Sequence, residues 1–393
     1  MSPDLNPAES AALAALAALA NEVAAVRRDF HAHPETSFDE HRTAAAIAAR
    51  LRTWDIEVHE GIGRTGVVAV LKKGEGPGIA LRADMDALPV SEANTFDHRS
   101  RNAGKMHACG HDGHSAMLLG AARWLQLHGR FRGTVCLIFQ PAEETGGGAG
   151  MMIEDGLFDR FPIGRVFGLH NWPGLPAGSF ALLDGPVMAS ADEFEIVVAG
   201  KGAHGAMPHL GVDPIVAASA LVQALQTIIT RNLDPIDTAV ISVTRFNSGH
   251  AYNVIPHEAV LGGTVRSFRP EVQAAIKSAM HRICHGISES HGVKTRLRYS
   301  DGYPATSNAA DETRLCRTAA ESIGATIVPA RPSMGAEDFS MYGKHRPTCY
   351  GWIGNGPGEG GCTLHSPHYD FNDEVIAIGI RYWTAVAEAA LTA

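Results

Sequence analysis

Three histidines, one cysteine and one aspartate fall within eight residues of the stretch MHACGHDGH, residues 106–114. Cys109 and His111 flank a single glycine, Gly110, which lets the backbone turn so that both side chains aim at one centre. A thiolate beside an imidazole suits zinc and other borderline divalent metals. His107 and His114 have weaker claims on the same centre. A second constellation, FQPAEETGGGAG (139–150), sets Glu143 against Glu144 just after the apolar run TVCLIF. In an extended segment adjacent side chains point opposite ways, so one carboxylate is expected to hold a metal while the other faces a substrate's water. His170 in GLHNWP (168–173) adds an imidazole, as do His365 and His368 in CTLHSPHYDFND (362–373), where Asp370 is placed to orient one of them. Asp84 and Asp86 in LRADMDALPV (81–90) alternate at a strand end and share a face, either as ligands or as acceptors for ligand histidines. The pattern points to metal-assisted hydrolysis. Serine-hydrolase, phosphate-loop, HExxH and dinucleotide fingerprints are missing where they would matter.

Such groups need elements to bring them together. The first half reads as helices at 9–30, 40–53 and 114–128, with strands at 66–71, 78–84, 134–141 and 165–171. Short apolar strands separated by helices predict a mostly parallel α/β sheet. The polar motifs sit just after the strands, at the carboxyl edge where open α/β sheets bind ligands. From about 190 the order changes to strand 193–200, helix 213–231, strands 238–247 and 259–268, helix 271–292 and strand 293–302. This β-α-β-β-α-β order is the split-βαβ, ferredoxin-like signature. It predicts a 188–302 domain inserted into a catalytic domain made of 1–187 and 303–393, with glycine and proline near 185–186 and 302–304 as hinge candidates.

Composition narrows the classes. The 393 residues are 45% hydrophobic and 19% charged, with a formal charge of -9, enough to bury a sizeable core in two or so domains. No basic stripe marks a nucleic-acid partner. Six scattered cysteines without a CxxC pair exclude a small disulfide scaffold and fit a reduced compartment. The Ala/Leu-rich stretch at 11–20 lacks a basic leader and reads as an amphipathic helix. No membrane span is expected, and the cytoplasm is the default compartment.

ALRADMDALPV, GKMHACGHDGH, FQPAEETGGGAG, GLHNWPGLPAG, GKGAHGAMPH, YNVIPHEAVLGGTVRSF, MGAEDFS and LHSPH occur in this order over nearly the whole chain. Together they resemble the aminoacylase/carboxypeptidase-G superfamily of metallopeptidases, in its amidohydrolase branch of hippurate and indole-acetyl-amino-acid hydrolases. The resemblance implies a zinc-peptidase-like catalytic domain with an inserted dimerisation or lid domain. It implies two divalent ions (Zn, Mn, Co or Ni) on Cys109, His111, Glu144, His170 and His365, with Glu143 as general base. It also implies that His204 helps stabilise an oxyanion in a neighbouring subunit, that Asn253 and Arg266 bind the substrate's carboxylate or nearby polar groups, and that Gly335 makes a backbone contact. Peptidase members place a histidine ligand where this chain has Asp84, and bridge their metals with an aspartate. Here Cys109 resembles the bridge, leaving Asp84 and Asp86 as support. The implied substrate is a small N-acyl amino acid and the implied assembly a homodimer or higher homo-oligomer. Dipeptidase, N-succinyl-diaminopimelate-type deacylase and non-catalytic conjugate-binding roles are the alternatives.

Overall fold

A computed structural model describes residues 7–358 and 362–391. The chain forms two compact units: Met1–Val187 with Ser307–Arg331 and Asp338–Ala393, and Met188–Thr306 with Pro332–Glu337.

The larger unit begins with two helices, α1 (Pro7–Ala32) and α2 (His41–Thr53). Strands β1 (Glu57–Ile62), β2 (Gly66–Lys73) and β3 (Gly78–Asp84) follow. Helix α3 (His111–His128) then leads to β4 (Gly133–Gln140) and, after two short helices, to β5 (Val166–Trp172). Strands β3 and β4 are buried along their whole length, which is why both read as near-continuous apolar runs rather than alternating ones. The seven-stranded sheet runs β1-β2-β4-β3-β5, then Thr348–Gly354, then Phe180–Ala181. Its centre is parallel: β4 with β3, β3 with β5, and β5 with Thr348–Gly354. Antiparallel pairs lie at its margins. Four adjacent parallel strands therefore end at one edge, and the strand ends and the loops leaving them carry the motifs.

By length and composition Ser10–Ala32 would suffice to cross a membrane. Its Leu16, Leu19, Val23 and Phe30 are instead buried in the unit's core, together with Arg27 and His31.

The smaller unit has a four-stranded antiparallel sheet in the order Ala239–Ser248, Glu258–Ser267, Ala191–Ala199, Lys294–Tyr303. Helices Pro214–Thr227 and Pro270–His291 supply its own apolar core with Leu221, Leu225, Ile276 and Met280. Strand order and connections are ferredoxin-like, as expected from the element order. One boundary requires correction. The sequence reading placed 303–393 wholly in the catalytic part, but Tyr303 closes the last strand and Pro332–Glu337 belongs to the smaller unit. Ala189 fixes that segment by donating its backbone N–H to the carbonyls of Ser333 and Gly335, a pairing that no local pattern announces.

Candidate metal centre

Gly110 stands at φ +90 between Cys109 and His111, and a Cβ there would collide with the Asn171 amide and the Tyr369 hydroxyl. Only glycine fits both the left-handed turn and the close approach. The turn starts α3 at His111, so the Cys109 and His111 side chains are set by a helix start rather than by a free loop.

Donor atoms gather on either side of this turn. Cys109, Glu144 and His365 each offer one donor within 4.8 Å of the others, and so do His111, Glu143 and Glu144. A third group joins Asp84, His111, His114 and His170. Cys109 Sγ lies 3.3 Å from His170 Nε2, and Glu144 Oε1 lies 3.4 Å from His365 Nε2 and 3.9 Å from His111 Nε2. All five residues expected as ligands thus belong to one connected cluster with Glu143 beside it.

The hydrogen bonds behind the cluster aim the lone pairs. His170 Nδ1 donates to the Asn171 carbonyl at 2.6 Å, which leaves its Nε2 lone pair toward Cys109. His111 Nδ1 is 3.2 Å from Asp86 Oδ1, and Asp86 also accepts from the Glu144 N–H and the Ser37 hydroxyl. This is the carboxylate–histidine arrangement that orients metal ligands. His114 is settled as support. Its Nε2 accepts the Asn171 N–H at 2.8 Å, so its Nδ1 donates to Asp84 Oδ1 at 2.6 Å and no lone pair remains.

Two expectations fail here. Glu143 and Glu144 do not lie in an extended segment pointing apart: both occupy a turn and both carboxylates reach the same cluster. The cause is Ala142 at φ +53, held by Glu40, which accepts the Ala142 N–H at 2.9 Å. A positive φ at a residue with a Cβ is strained and persists only where its surroundings enforce it. Nor does Asp370 orient His365 or His368. It accepts instead from Arg27 and stands 3.3 Å from His98. His107 and His368 lie outside all the donor groups among the described residues.

Burial and surplus negative charge make the site a cation receptor. His111 Nε2 and Glu144 Oε1 are buried with no hydrogen-bond partner among the described residues, an arrangement that costs free energy unless something fills it. Burial lowers the His111 pKa, but Asp84, Asp86 and Glu144 outweigh it and push it up to about 10. Burial, with Glu144, Glu143 and Asp84, drives the Cys109 thiol well above its ordinary range. A divalent cation reverses both preferences, displacing the protons from thiol and imidazole. The thiolate, imidazole and carboxylate set fits zinc, manganese, cobalt or nickel.

Behind these residues lies a buried web that the sequence reading missed. Arg82 donates to Asp84 at 2.7 Å, to Gln140 at 2.8 Å and to Asp338 at 3.2 Å. Gln140 in turn donates to Asp338. Arg82 was visible in ALRAD as a cation inside an apolar strand, which is itself a signal that a buried anion waits for it.

The other expected residues lie in the smaller unit. His204 is exposed on the short strand Ala203–His204, and its Nδ1 accepts the Ala206 N–H. Exposed Asn253 is adjacent, its carbonyl accepting from the Gly205 N–H at 2.7 Å. Half-buried Arg266 lies near the far end of Glu258–Ser267 and donates to Thr264 and the Val265 carbonyl. Exposed Gly335 is tied to Ser333 and Ala189.

Comparison with known proteins gives matching results. The model of peptidase family M20/M25/M40 matches residues 80–389. A hippurate hydrolase of Campylobacter jejuni is 40% identical over 373 residues, covering 94% of this chain and 96% of its own. An N-acetylcysteine deacetylase of Bacillus subtilis is 38% identical over 366 residues, covering 92% and 95%. The crystal structure of the YXEP protein of Bacillus subtilis, a dinuclear metal-binding peptidase, superposes with a TM-score of 0.85 at 36% identity, covering 95% of this chain and 99% of that one.

Proposed function

The chain belongs to peptidase family M20/M25/M40, and from that premise we propose that it hydrolyses the amide bond of N-acyl amino acids with two divalent ions. The reading rests above all on the convergence of Cys109, His111, Glu144, His170 and His365 next to Glu143. The names of its relatives, a hippurate hydrolase and an N-acetylcysteine deacetylase, support the substrate class.

Bound divalent ions would supply Lewis acidity and a water acidified toward neutral pH. Glu143 takes the proton of the attacking water and passes it to the leaving nitrogen, a role for which a carboxylate beside the donors is well placed. His204 donates to the oxyanion, and Arg266 or Asn253 anchors the substrate's carboxylate, for which a guanidinium offers a forked, charge-assisted fit. The Gly335 backbone lies beside the substrate. The products are a carboxylic acid and a free amino acid.

We assign His204 and Asn253 to the site of a second copy. His204 follows the sheet end where Ala199 pairs with Glu258, whereas Arg266 lies eight residues further along that strand, near its other end. Their placement at opposite ends of one sheet supports the assignment of the two to different sites. The exposed apolar side chains Met207, Leu210, Val216, Phe246, Tyr252 and Val254 support association of copies. The strand Ala239–Ser248 is an unpaired sheet edge available for the same purpose.

The test is Glu143→Gln assayed on a panel of benzoyl-, acetyl- and indole-acetyl-amino acids, dipeptides and succinylated substrates. The variant should keep its metal by elemental analysis and lose turnover by about 10³-fold or more, in the upper range for general acid–base catalysis. Unimpaired turnover would remove Glu143 from the role. Wild-type preference for dipeptides or succinylated substrates would move the protein to another branch of the family.

A further inference from the structure

We propose that Arg27, on α1, is a positioning residue of the metal centre that fixes where His365 stands relative to Cys109 and His111. The proposal rests on the reading of His365 as a metal ligand. His365 itself is exposed and sits at φ +63; its N–H donates to the Ala108 carbonyl at 2.7 Å. Its location therefore depends on what holds the chain after it. Arg27, 1% exposed, holds that chain at three points. Nε donates to Asp373 at 2.7 Å, and Nη2 donates to Asp370 and to the Phe371 carbonyl, both at 2.9 Å. Nη1 reaches Asp112 at 3.5 Å, and Asp112 is the residue after His111. One guanidinium thus ties the segment following His365 to the helix start that carries His111.

His31, one turn further along α1, reinforces the tie from the other side. Its Nδ1 is 2.8 Å from Asp112 and its Nε2 is 3.2 Å from Glu92. The residues after Glu92 hold the same segment: the Ala93 N–H donates to the Pro367 carbonyl and the Asn94 amide to the Tyr369 carbonyl. A planar guanidinium fork can serve these spread acceptors at once, whereas a lysine ammonium is a point donor and cannot.

The experiment uses full-length Arg27→Lys, with Asp373→Asn as a second variant that removes the negative charge of one acceptor at a partly exposed position. Each is stripped and titrated with cobalt(II), read by chelator competition and by the visible absorption of the cobalt–thiolate centre. Folded Arg27→Lys should bind one of two cobalt equivalents at least tenfold more weakly and show an altered band, while Asp373→Asn shifts the same way by less. Isotherms and spectra of a folded Arg27→Lys that superpose on those of wild type would overturn the proposal. If Arg27→Lys does not fold, an unchanged isotherm for Asp373→Asn overturns it equally. Wild-type protein that binds no cobalt, or a His365→Ala variant that binds it undiminished, would instead defeat the metal reading beneath it.

Discussion

The larger and smaller units present their functional candidates in opposite ways. Around Cys109 and His111 all the expected ligands but Glu144 and His365 are buried, and several side chains have a partner behind them: Asp86 behind His111, the Asn171 carbonyl behind His170, Arg82 behind Asp84. In the smaller unit His204 and Asn253 are exposed, and they bond and pair within their own corner: Ala206 and Val254 for His204, Gly205 for Asn253. The first region is preorganised, with its donors held by partners within the same unit. The second has its polar groups and apolar side chains turned to solvent, and on the proposed reading it acts in the site of another copy. The difference teaches where each can be attacked: the first through its donors, the second through association.

The largest expected effect comes from the donors. Cys109→Ala should lower bound metal from two equivalents toward one and reduce turnover on the order of 10³-fold, equivalent to about 4 kcal/mol of barrier. Elemental analysis with initial rates checks it. Full metal content would show that the buried thiol is only a packing group, and the contrast between the units would lose its clearest member.

His204→Ala should leave metal content untouched and reduce kcat about 10²- to 10³-fold, the range seen for loss of one oxyanion donor. Mixing it with the Glu143→Gln variant should restore part of the activity through hybrid dimers. No recovery despite verified subunit exchange would place His204 in its own chain's site and dissolve the second half of the comparison.

Much of this was legible in the sequence because the chemistry of donors is carried by residue type. The Cys109–His111 stretch and the Glu143–Glu144 pair after an apolar strand are legible as donors, whereas His170 is a lone histidine whose signal is weak by itself, and strands such as Gly78–Asp84 are marked by apolar runs with sharp ends. What the sequence withheld depends on contacts between distant segments or on one dihedral angle. The turn at Glu143 follows from the strained φ of Ala142, which no residue type signals. Arg27 looks like one of two arginines on an ordinary helix, and its partners lie 85 to 346 positions away. The strand Thr348–Gly354, reading TCYGWIG, and the closing helix Ile376–Ala390 carry no clear local signal. Glycine dilutes the pattern of the first, and the second lay in a return segment for which only a domain had been assigned.

A third prediction uses pH to separate the buried polar web from the surface. Burial lowers the His31 pKa, but Asp112 and Glu92 overcome it and leave it at about 9, against an ordinary 6.5. The folded value lies above the unfolded one, so this contribution to stability is complete below pH 6.5 and is lost as pH rises through 9. Its size is about 3 kcal/mol, from 1.36 kcal/mol per pKa unit. Urea unfolding at pH 6 and pH 9.5 should show that fall in wild type and a flatter dependence in His31→Gln. An equal slope in both would mean that His31 is not charged in the folded protein.

The smallest effect is expected beside a buried cation. Arg28 donates to Asp373 at 2.8 Å, much as Arg27 does at 2.7 Å, so the two bonds look alike in length and partner. They differ in surroundings: the Arg28 side chain is 55% exposed and that of Arg27 is 1% exposed. An exposed pair gains little in water and loses side-chain entropy, so Arg28→Ala should cost less than about 1 kcal/mol. A buried guanidinium that leaves three carboxylates behind should cost several times more, of the order of 3–5 kcal/mol for breaking a buried pair. Arg28→Ala should also leave the cobalt isotherm unchanged, because its single carboxylate contact is shared with Arg27. A loss of metal affinity in Arg28→Ala equal to that in Arg27→Lys would mean that charge near Asp373, rather than the fork buried between Asp112 and the His365 segment, governs the centre.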